Sequence, residues 1–263
     1  MPPSLSRVTS LSFDRAADFY DATRGLPAET LRAVVDILAH ELRDRHLSLE
    51  IGVGTGRIAL PLHRHGIGLV GADVSVPMLE RLMLNAGGTT PFPLLLADAT
   101  ALPFHDGSVD AVLASHVFHL IPQWKAATDE ALRVMRAGGL LLADFGGAGV
   151  APWSKAAAAI FQRHGIDHAR PGVSDPHKLA TYVAGRATLR ALQPATMSAR
   201  RTLAKDLDEW QHQIHSWTWQ YSPEQMAAAC NDVRAWAETK GVPIEAEVEL
   251  TRVIQWWAFD VTA

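Results

Sequence analysis

The stretch Leu49-Glu50-Ile51-Gly52-Val53-Gly54-Thr55-Gly56-Arg57 decides the fold. An apolar run, predicted as a strand over 47–51, enters three alternate glycines, and a helical pattern predicted over 57–65 begins at once behind them. Glycine has no Cβ, so the backbone can curl tightly and a ligand can touch it. The helix start offers free N–H groups to a polar or negative ligand group. A dinucleotide loop reads G-x-G-x-x-G, which would put its third glycine at position 57. Arg57 stands there instead, and the third glycine is Gly56. The pattern is therefore E-x-G-x-G-x-G, with Glu50 two residues before the first glycine. A carboxylate at that strand end suits a ligand carrying an ammonium group and repels a pyrophosphate. A bare glycine-rich turn is the plain alternative, and it leaves the acid and three glycines without a purpose.

Outward from this loop the chain alternates short apolar runs with helical periodicity. Strands are predicted over 47–51, 67–72, 92–97, 109–114 and 139–145, and helices over 28–43, 57–65, 76–85 and 123–135. Strands apolar on both faces and separated by helices imply a parallel sheet covered on both sides. A short helix is expected over 13–24, broken by Gly25-Leu26-Pro27. Past Gly146 the character changes to helical segments rich in Trp and His, over 151–164, 177–184, 203–215 and 223–240, with a strand at 196–202. Residues 245–261 alternate well enough for one long strand returning to the sheet. The expected organisation is a single domain over 1–263. Its core covers about 25–147 and 244–263, with a lid helix over 13–24 and a mostly helical cap over 148–243.

Composition narrows the classes. The 263 residues are 48% hydrophobic and 20% charged, enough apolar material for a full globular core. A net charge of −4 provides no positive field to gather nucleic acid, and Arg200-Arg201 is too short to change that. Cys230 is the only cysteine, which excludes an internal disulfide and a Cys-rich zinc site. Residues 1–12 lack the apolar run of a signal peptide, and no uncharged stretch approaches a membrane span. The expectation is a cytoplasmic protein.

Two further strands end in acids. The second closes on Gly71-Ala72-Asp73 before Val74-Ser75-Val76-Pro77-Met78. Asp73 is placed to accept both hydroxyls of a ribose, as acids about 20 residues past a glycine loop do. Its plainer role is a helix N-cap, although Ser75 is better placed for that. Val74 and Met78 belong with the same ligand, Met78 as an apolar wall for a base. The third strand runs into Ala97-Asp98-Ala99, where Asp98 can accept a base's amino group and Ala99 can donate a backbone N–H. Alone that signal is weak, because Asp is common in loops.

Together these stretches resemble the class I S-adenosylmethionine-dependent methyltransferases, in particular the ubiquinone/menaquinone C-methyltransferase-like group known as type 11. The resemblance rests on residues 50–56, 71–78, 97–99, 102–110 and 132–139, and on the opening 13–21, which looks like that group's lid helix. It covers 13–145 well and the rest loosely. It implies a Rossmann-like, seven-stranded, mostly parallel sheet of order 3-2-1-4-5-7-6 with an antiparallel last strand. It also implies S-adenosyl-L-methionine as cofactor. Gly52, Gly54 and Gly56 would approach the methionine portion, and Glu50 would hold its ammonium. Asp73 would bind the ribose, and Asp98 with Ala99 the adenine. Tyr20 would close over the cofactor, with Arg24 near its carboxylate.

The acceptor is less legible. The fourth strand ends at Ser115-His116-Val117-Phe118-His119, which should lie beside the methyl group, with Ser115 on the cofactor side. His116 and His119 are the candidate general bases, since an imidazole titrates near neutrality. Each could equally hold the cofactor or cap the helix after Pro122. The pairs His63/His65, His164/His168 and His212/His215 lack a third ligand, so no metal is expected. Trp210, Trp217, Trp219, Tyr221, Trp236, Trp256 and Trp257 crowd the last third, mostly as core. Trp217 and Trp219, beside the Ser222-Pro223 break, are the candidate pocket residues. The expected activity is methyl transfer to a small, aromatic or apolar acceptor. The alternatives are an NAD(P)-dependent oxidoreductase, disfavoured by Arg57 and Glu50, and a non-catalytic S-adenosylmethionine-binding protein.

Overall fold

The computed structural model describes residues 13–17, 20–146 and 149–262. In chain order the α-helices are α1 (Tyr20–Arg24), α2 (Ala28–Leu42), α3 (Ala59–Arg64), α4 (Val76–Asn85), α5 (Trp124–Val134), α6 (Ser154–Arg163), α7 (Pro176–Tyr182), α8 (Leu203–Gln211) and α9 (Pro223–Lys240). The strands are β1 (Ser48–Ile51), β2 (Leu69–Asp73), β3 (Leu94–Leu96), β4 (Val109–Ser115), β5 (Met135–Asp144), β6 (Ala187–Ala191), β7 (Ala195–Arg201), β8 (Val248–Ile254) and β9 (Trp256–Val261). They fall into two compact units. The first takes the described residues of Met1–Gly146, Pro171–Ala195 and Ile254–Ala263; the second takes those of Gly147–Arg170 and Thr196–Val253.

The first unit holds a seven-stranded sheet of order β3-β2-β1-β4-β5-β9-β6. Since β9 is the seventh strand of this sheet in chain order, the pattern is the expected 3-2-1-4-5-7-6. Strands β1 to β5 are parallel, and β9 runs antiparallel between β5 and β6. β1 and β2 are buried along their whole length, as strands covered on both faces must be. On one face Leu49, Ile51, Val112, Ala114, Leu141 and Ala143 pack with Ala127, Ala131 and Val134 of α5. This two-residue alternation sends the intervening residues, Glu50 and Leu113 among them, to the other face. The chain order reverses between β1 and β4, so a crevice opens at their carboxyl ends.

The second unit packs α6, α8 and α9 around Phe161, Leu203, Leu207, Met226, Cys230 and Val233, all fully buried, and adds the two-stranded sheet β7–β8. Helix α9 is bounded as its sequence dictates. Ser222 accepts the Gln225 N–H at one end, Pro223 opens the first turn, and Gly241 closes the other end at φ 65°. Asp206 is shared by Trp153 Nε1 (2.7 Å) and Arg201 (2.5 Å).

Three expectations change. The described residues of 13–24 hold a 3₁₀ turn at Asp14–Ala16 and, separately, α1, in place of one helix. The long strand over 245–261 is two strands parted at Gln255: β8 pairs with β7 in the second unit, and only β9 joins the main sheet. Alternation continues through both strands, so it could not mark the transfer between sheets. Residues 171–195, expected in the cap, belong to the first unit, while 244–253 belong to the second. The segment 187–191 was not expected as a strand. It is an edge strand whose outer residues are exposed, so it lacks a buried-strand pattern. Among the described residues no helix is long and apolar enough to cross a membrane.

Leu113 is fully buried on β4, paired with β1 and β5. Leu113→Ala is expected to cost about 2–5 kcal/mol through lost burial and the cavity left behind, read as a lower denaturant midpoint with unchanged slope.

Candidate active site

The three glycines of the loop all lie in the left-handed region, Gly52 at φ 62°, Gly54 at 54° and Gly56 at 81°. A Cβ on Gly52 would stand 2.5 Å from Val117 Cγ2, and one on Gly56 2.7 Å from Leu60 Cγ. At Gly54 a Cβ would meet only the Gly52 carbonyl oxygen at 3.9 Å and would otherwise occupy the space of the cavity. Packing thus fixes the outer two glycines, while ligand access best explains the middle one.

That cavity encloses about 600 Å³, counting its open mouth, within the usual range for a small-molecule site. Gly52, Gly54 and Asp73 form its polar floor. Val74, Met78, Ala97 and Ala99 line one part and Ser115, His116 and Val117 another, while Phe13, Tyr20, Leu120 and Ile121 complete it. Of the predicted cofactor residues, Tyr20, Gly52, Gly54, Asp73, Val74, Met78, Ala99 and Ser115 meet here. Gly56 supports the loop without lining the cavity. Asp98 is not on the lining either; its Oδ1 accepts from the Thr100 N–H and hydroxyl, closing the turn that presents Ala97 and Ala99. The Arg24 side chain lies outside the described residues.

Asp73 organises the floor. One oxygen accepts the Gly54 N–H at 2.8 Å and the other the Ser75 N–H at 2.9 Å, while Ser75 caps α4 through Met78. Burial pushes the Asp73 carboxyl above its ordinary range, against the pull of those N–H donors. Glu50 is 2% exposed, behind the lining rather than on it. Burial pushes its carboxyl from 4.5 up to about 8, with Arg57 pulling down, Asp73 pushing up and the Ala59 N–H pulling down. Its Oε2 has no hydrogen-bond partner among the described residues. A buried orphan oxygen is costly unless something supplies a donor, and an ammonium does. The protonated state also revises the electrostatics. Near neutrality the carboxyl carries its proton, so it discriminates by giving up that proton to a cationic ligand rather than by standing charge. A Cβ-free loop, a ribose-type acid and an orphan carboxyl oxygen fit S-adenosylmethionine.

Contacts remote in sequence tie the opening segment to this floor. Asp21 Oδ1 accepts the Thr55 hydroxyl at 2.5 Å, its Oδ2 accepts Asn85 Nδ2 at 2.8 Å, and Asp14 accepts the Ser75 hydroxyl at 2.6 Å. Phe13 and Tyr20 meet edge to face at 5.9 Å over the cavity. Nothing local distinguishes Asp14 or Asp21 from surface acids, so sequence reasoning missed them.

The two candidate bases separate. His116 lines the cavity in the left-handed region at φ 55°, with Nε2 2.9 Å from Asp144 Oδ2. His119 is buried at 8% exposure and off the lining; its carbonyl accepts the Gly172 N–H. Trp217 and Trp219 lie in the second unit. There Trp217 packs against Phe161 and His168, and Trp219 Nε1 donates to the Gln213 carbonyl. The histidines of the pairs 63/65, 164/168 and 212/215 sit against Asp36, Asp232, Asp208, Glu209, Phe92 or Trp217, and among the described residues no group of three His, Cys, Asp or Glu could hold a metal ion.

Residues 49–143 match a protein family described as "Methyltransferase domain". The chain is 32% identical over 142 residues to the demethylmenaquinone methyltransferase of Clavibacter sepedonicus, covering 51% of this chain and 56% of that protein. It is 29% identical over 140 residues to a malonyl-[acyl-carrier protein] O-methyltransferase of Xylella fastidiosa, covering 52% and 47%. The chain thus spans about half the length of the curated relatives it matches. The YcgJ protein of Bacillus subtilis shares the fold, with TM-score 0.56 at 17% identity over 90% of this chain and all of that one. Over residues 49–143 the chain is therefore similar to a methyltransferase domain, and S-adenosylmethionine is the cofactor that its glycine loop and strand-end acids fit.

The Glu50 titration has a measurable consequence. The folded carboxyl keeps its proton up to about pH 8, while the unfolded chain loses it near 4.5. Between those values the folded state binds more protons, so this group's contribution to stability falls as pH rises. Glu50→Gln removes the titration. Its melting temperature relative to wild type should therefore climb from pH 5 to pH 8 and level off above, measured by thermal unfolding in matched buffers.

Proposed function

We propose that the protein transfers a methyl group from S-adenosylmethionine to a small acceptor of aromatic or apolar character. The observation that carries this reading is the buried Glu50 Oε2, without a donor, at the foot of a glycine loop whose middle residue opens into the cavity. The cofactor supplies a methyl group on a sulfonium, which needs no further activation. The chain's residues do the rest. Glu50 takes the ammonium, Asp73 accepts from the ribose hydroxyls, and Met78, Val74, Ala97 and Ala99 enclose the adenine. Phe13, Tyr20, Leu120 and Ile121 keep water from the reacting end and favour an apolar acceptor held close to the methyl group. The relatives' names span demethylmenaquinone and malonyl-[acyl-carrier protein], so the acceptor rests on the cavity's own chemistry.

A dinucleotide oxidoreductase is less well supported, because Arg57 occupies the third-glycine position and sends its guanidinium to Ser115 Oγ at 3.0 Å. A binding protein without turnover is distinguished by assay. In calorimetry, wild type should bind S-adenosylhomocysteine and show no heat with NAD or NADP. Because the ammonium draws the proton off Glu50, binding at pH 7 should release close to one proton, read from buffers of different ionisation enthalpy. Glu50→Gln should weaken binding about 10- to 100-fold, the worth of a charge-assisted hydrogen bond, and abolish the proton release. Tight NAD binding with no S-adenosylhomocysteine heat would falsify the reading.

A further inference from the structure

A third acid at a strand end, Asp144, stands off the cavity lining. Asp144 ends β5, opposite Ser115 at the end of β4, and is 4% exposed. Its Oδ1 accepts the Gly146 N–H at 2.7 Å, and its Oδ2 faces His116 Nε2 at 2.9 Å. Burial would raise this carboxyl, but the His116 ring, the Gly146 N–H and the more distant Arg57 outweigh it and hold Asp144 below its ordinary range, so it is ionised. The backbone locks the pair as well: the His116 N–H donates to the Asp144 carbonyl at 3.1 Å, and His116 itself holds a left-handed conformation that few side chains adopt. Strain of this kind persists only where the surroundings over-determine it, and it gathers at functional sites.

We propose that Asp144 and His116 form a proton-accepting dyad that fits the site to acceptors with a phenolic or enolic hydroxyl. The inference rests on the proposed methyl transfer and deepens it. An ionised aspartate at Nε2 orients the ring and stabilises the imidazolium that forms when His116 takes a proton from an acceptor. Asp144 acts through His116 and is a positioning residue; His116 is the group that meets the acceptor. The hydroxyl's O–H bond breaks and its proton passes to His116. The oxygen's electron pair forms the O–CH₃ bond, the S–CH₃ bond of the donor breaks with its pair left on sulfur, and the imidazolium returns the proton to water. An amine presents a lone pair before it loses a proton and has no use for a base at this step, whereas a weakly acidic hydroxyl does. The apolar side chains Phe13, Leu120 and Ile121 on the same cavity suit a ring more than a charged chain. Among the described residues, Arg57, bonded to Ser115, and His119, whose ring centre is 6.2 Å from that of His116, stand near the dyad, and Tyr20 and Asp73 line the same cavity.

The test uses the full chain saturated with S-adenosylhomocysteine and 4-nitrophenol as probe, whose phenolate is seen directly by its visible absorbance. Just below the probe's own titration midpoint, wild type should increase the phenolate signal on mixing, as the proton passes to His116. His116→Asn, which tolerates the left-handed backbone, should give none. Asp144→Asn should lose most of it, and Asp144→Glu should restore part. If Asp144→Asn fails to fold, His116→Asn still decides the outcome. With S-adenosylmethionine, turnover of phenols should fall about 100-fold or more in His116→Asn, and most for the least acidic phenols. The proposal is overturned if wild type gives no phenolate increase, if His116→Asn keeps it, or if amines are methylated and phenols are not. Wild-type binding of S-adenosylhomocysteine, measured first, separates this failure from failure of the cofactor reading.

Discussion

The Asp73 carboxylate is the constraint on which the site depends. It bonds the Gly54 N–H from one side and the Ser75 N–H from the other, so one side chain ties the glycine loop after β1 to the start of α4 after β2. Both partners are backbone donors that a tight turn and a helix start would otherwise leave unsatisfied. Strand pairing sets the spacing: Glu50 pairs with Gly71 and Ile51 with Ala72, which brings the ends of β1 and β2 level. A parallel sheet delivers such ends together at one edge, and the chemistry collects there.

The strand-end acids share an origin and differ in state. Glu50 and Asp73 are buried and pushed upward, Glu50 to about 8, while Asp144, equally buried, is held down by the histidine it faces. Burial penalises charge at all three, and the partner decides the outcome. Glu50, where Arg57 offsets burial only in part, waits in its neutral form for a ligand to supply a closer cation. A carboxyl that faces a histidine ring nitrogen and accepts a backbone N–H stays ionised and acts on that histidine. One sheet edge thereby holds a group suited to gaining a cation and a group suited to stabilising an imidazolium.

The opening segment shows how a site is completed from far away in sequence. Asp14 and Asp21 bind Ser75, Thr55 and Asn85, so the aromatic pair Phe13 and Tyr20 is fastened to the loop it covers. The attachment uses hydroxyl and amide donors of the cofactor-side turns rather than an apolar interface.

Local order was legible because it is written in local terms. The glycine spacing, the two-residue alternation of the strands, the caps at Ser75 and Ser222 and the positions of Glu50 and Asp73 all lie within a few neighbouring residues, and the sheet order followed from the resemblance they carry. Tertiary structure alone decided the rest: that residues 245–261 divide between two sheets, that 187–191 supplies an edge strand, that His116 rather than His119 reaches the cavity, and that Asp144 stands against it. Each of these turns on which segments lie side by side. The same alternation serves either sheet, and a histidine three residues from another differs only in the direction the backbone gives it. Chain neighbours determine a residue's conformation, but its charge state and its partner are set by whatever the fold brings against it.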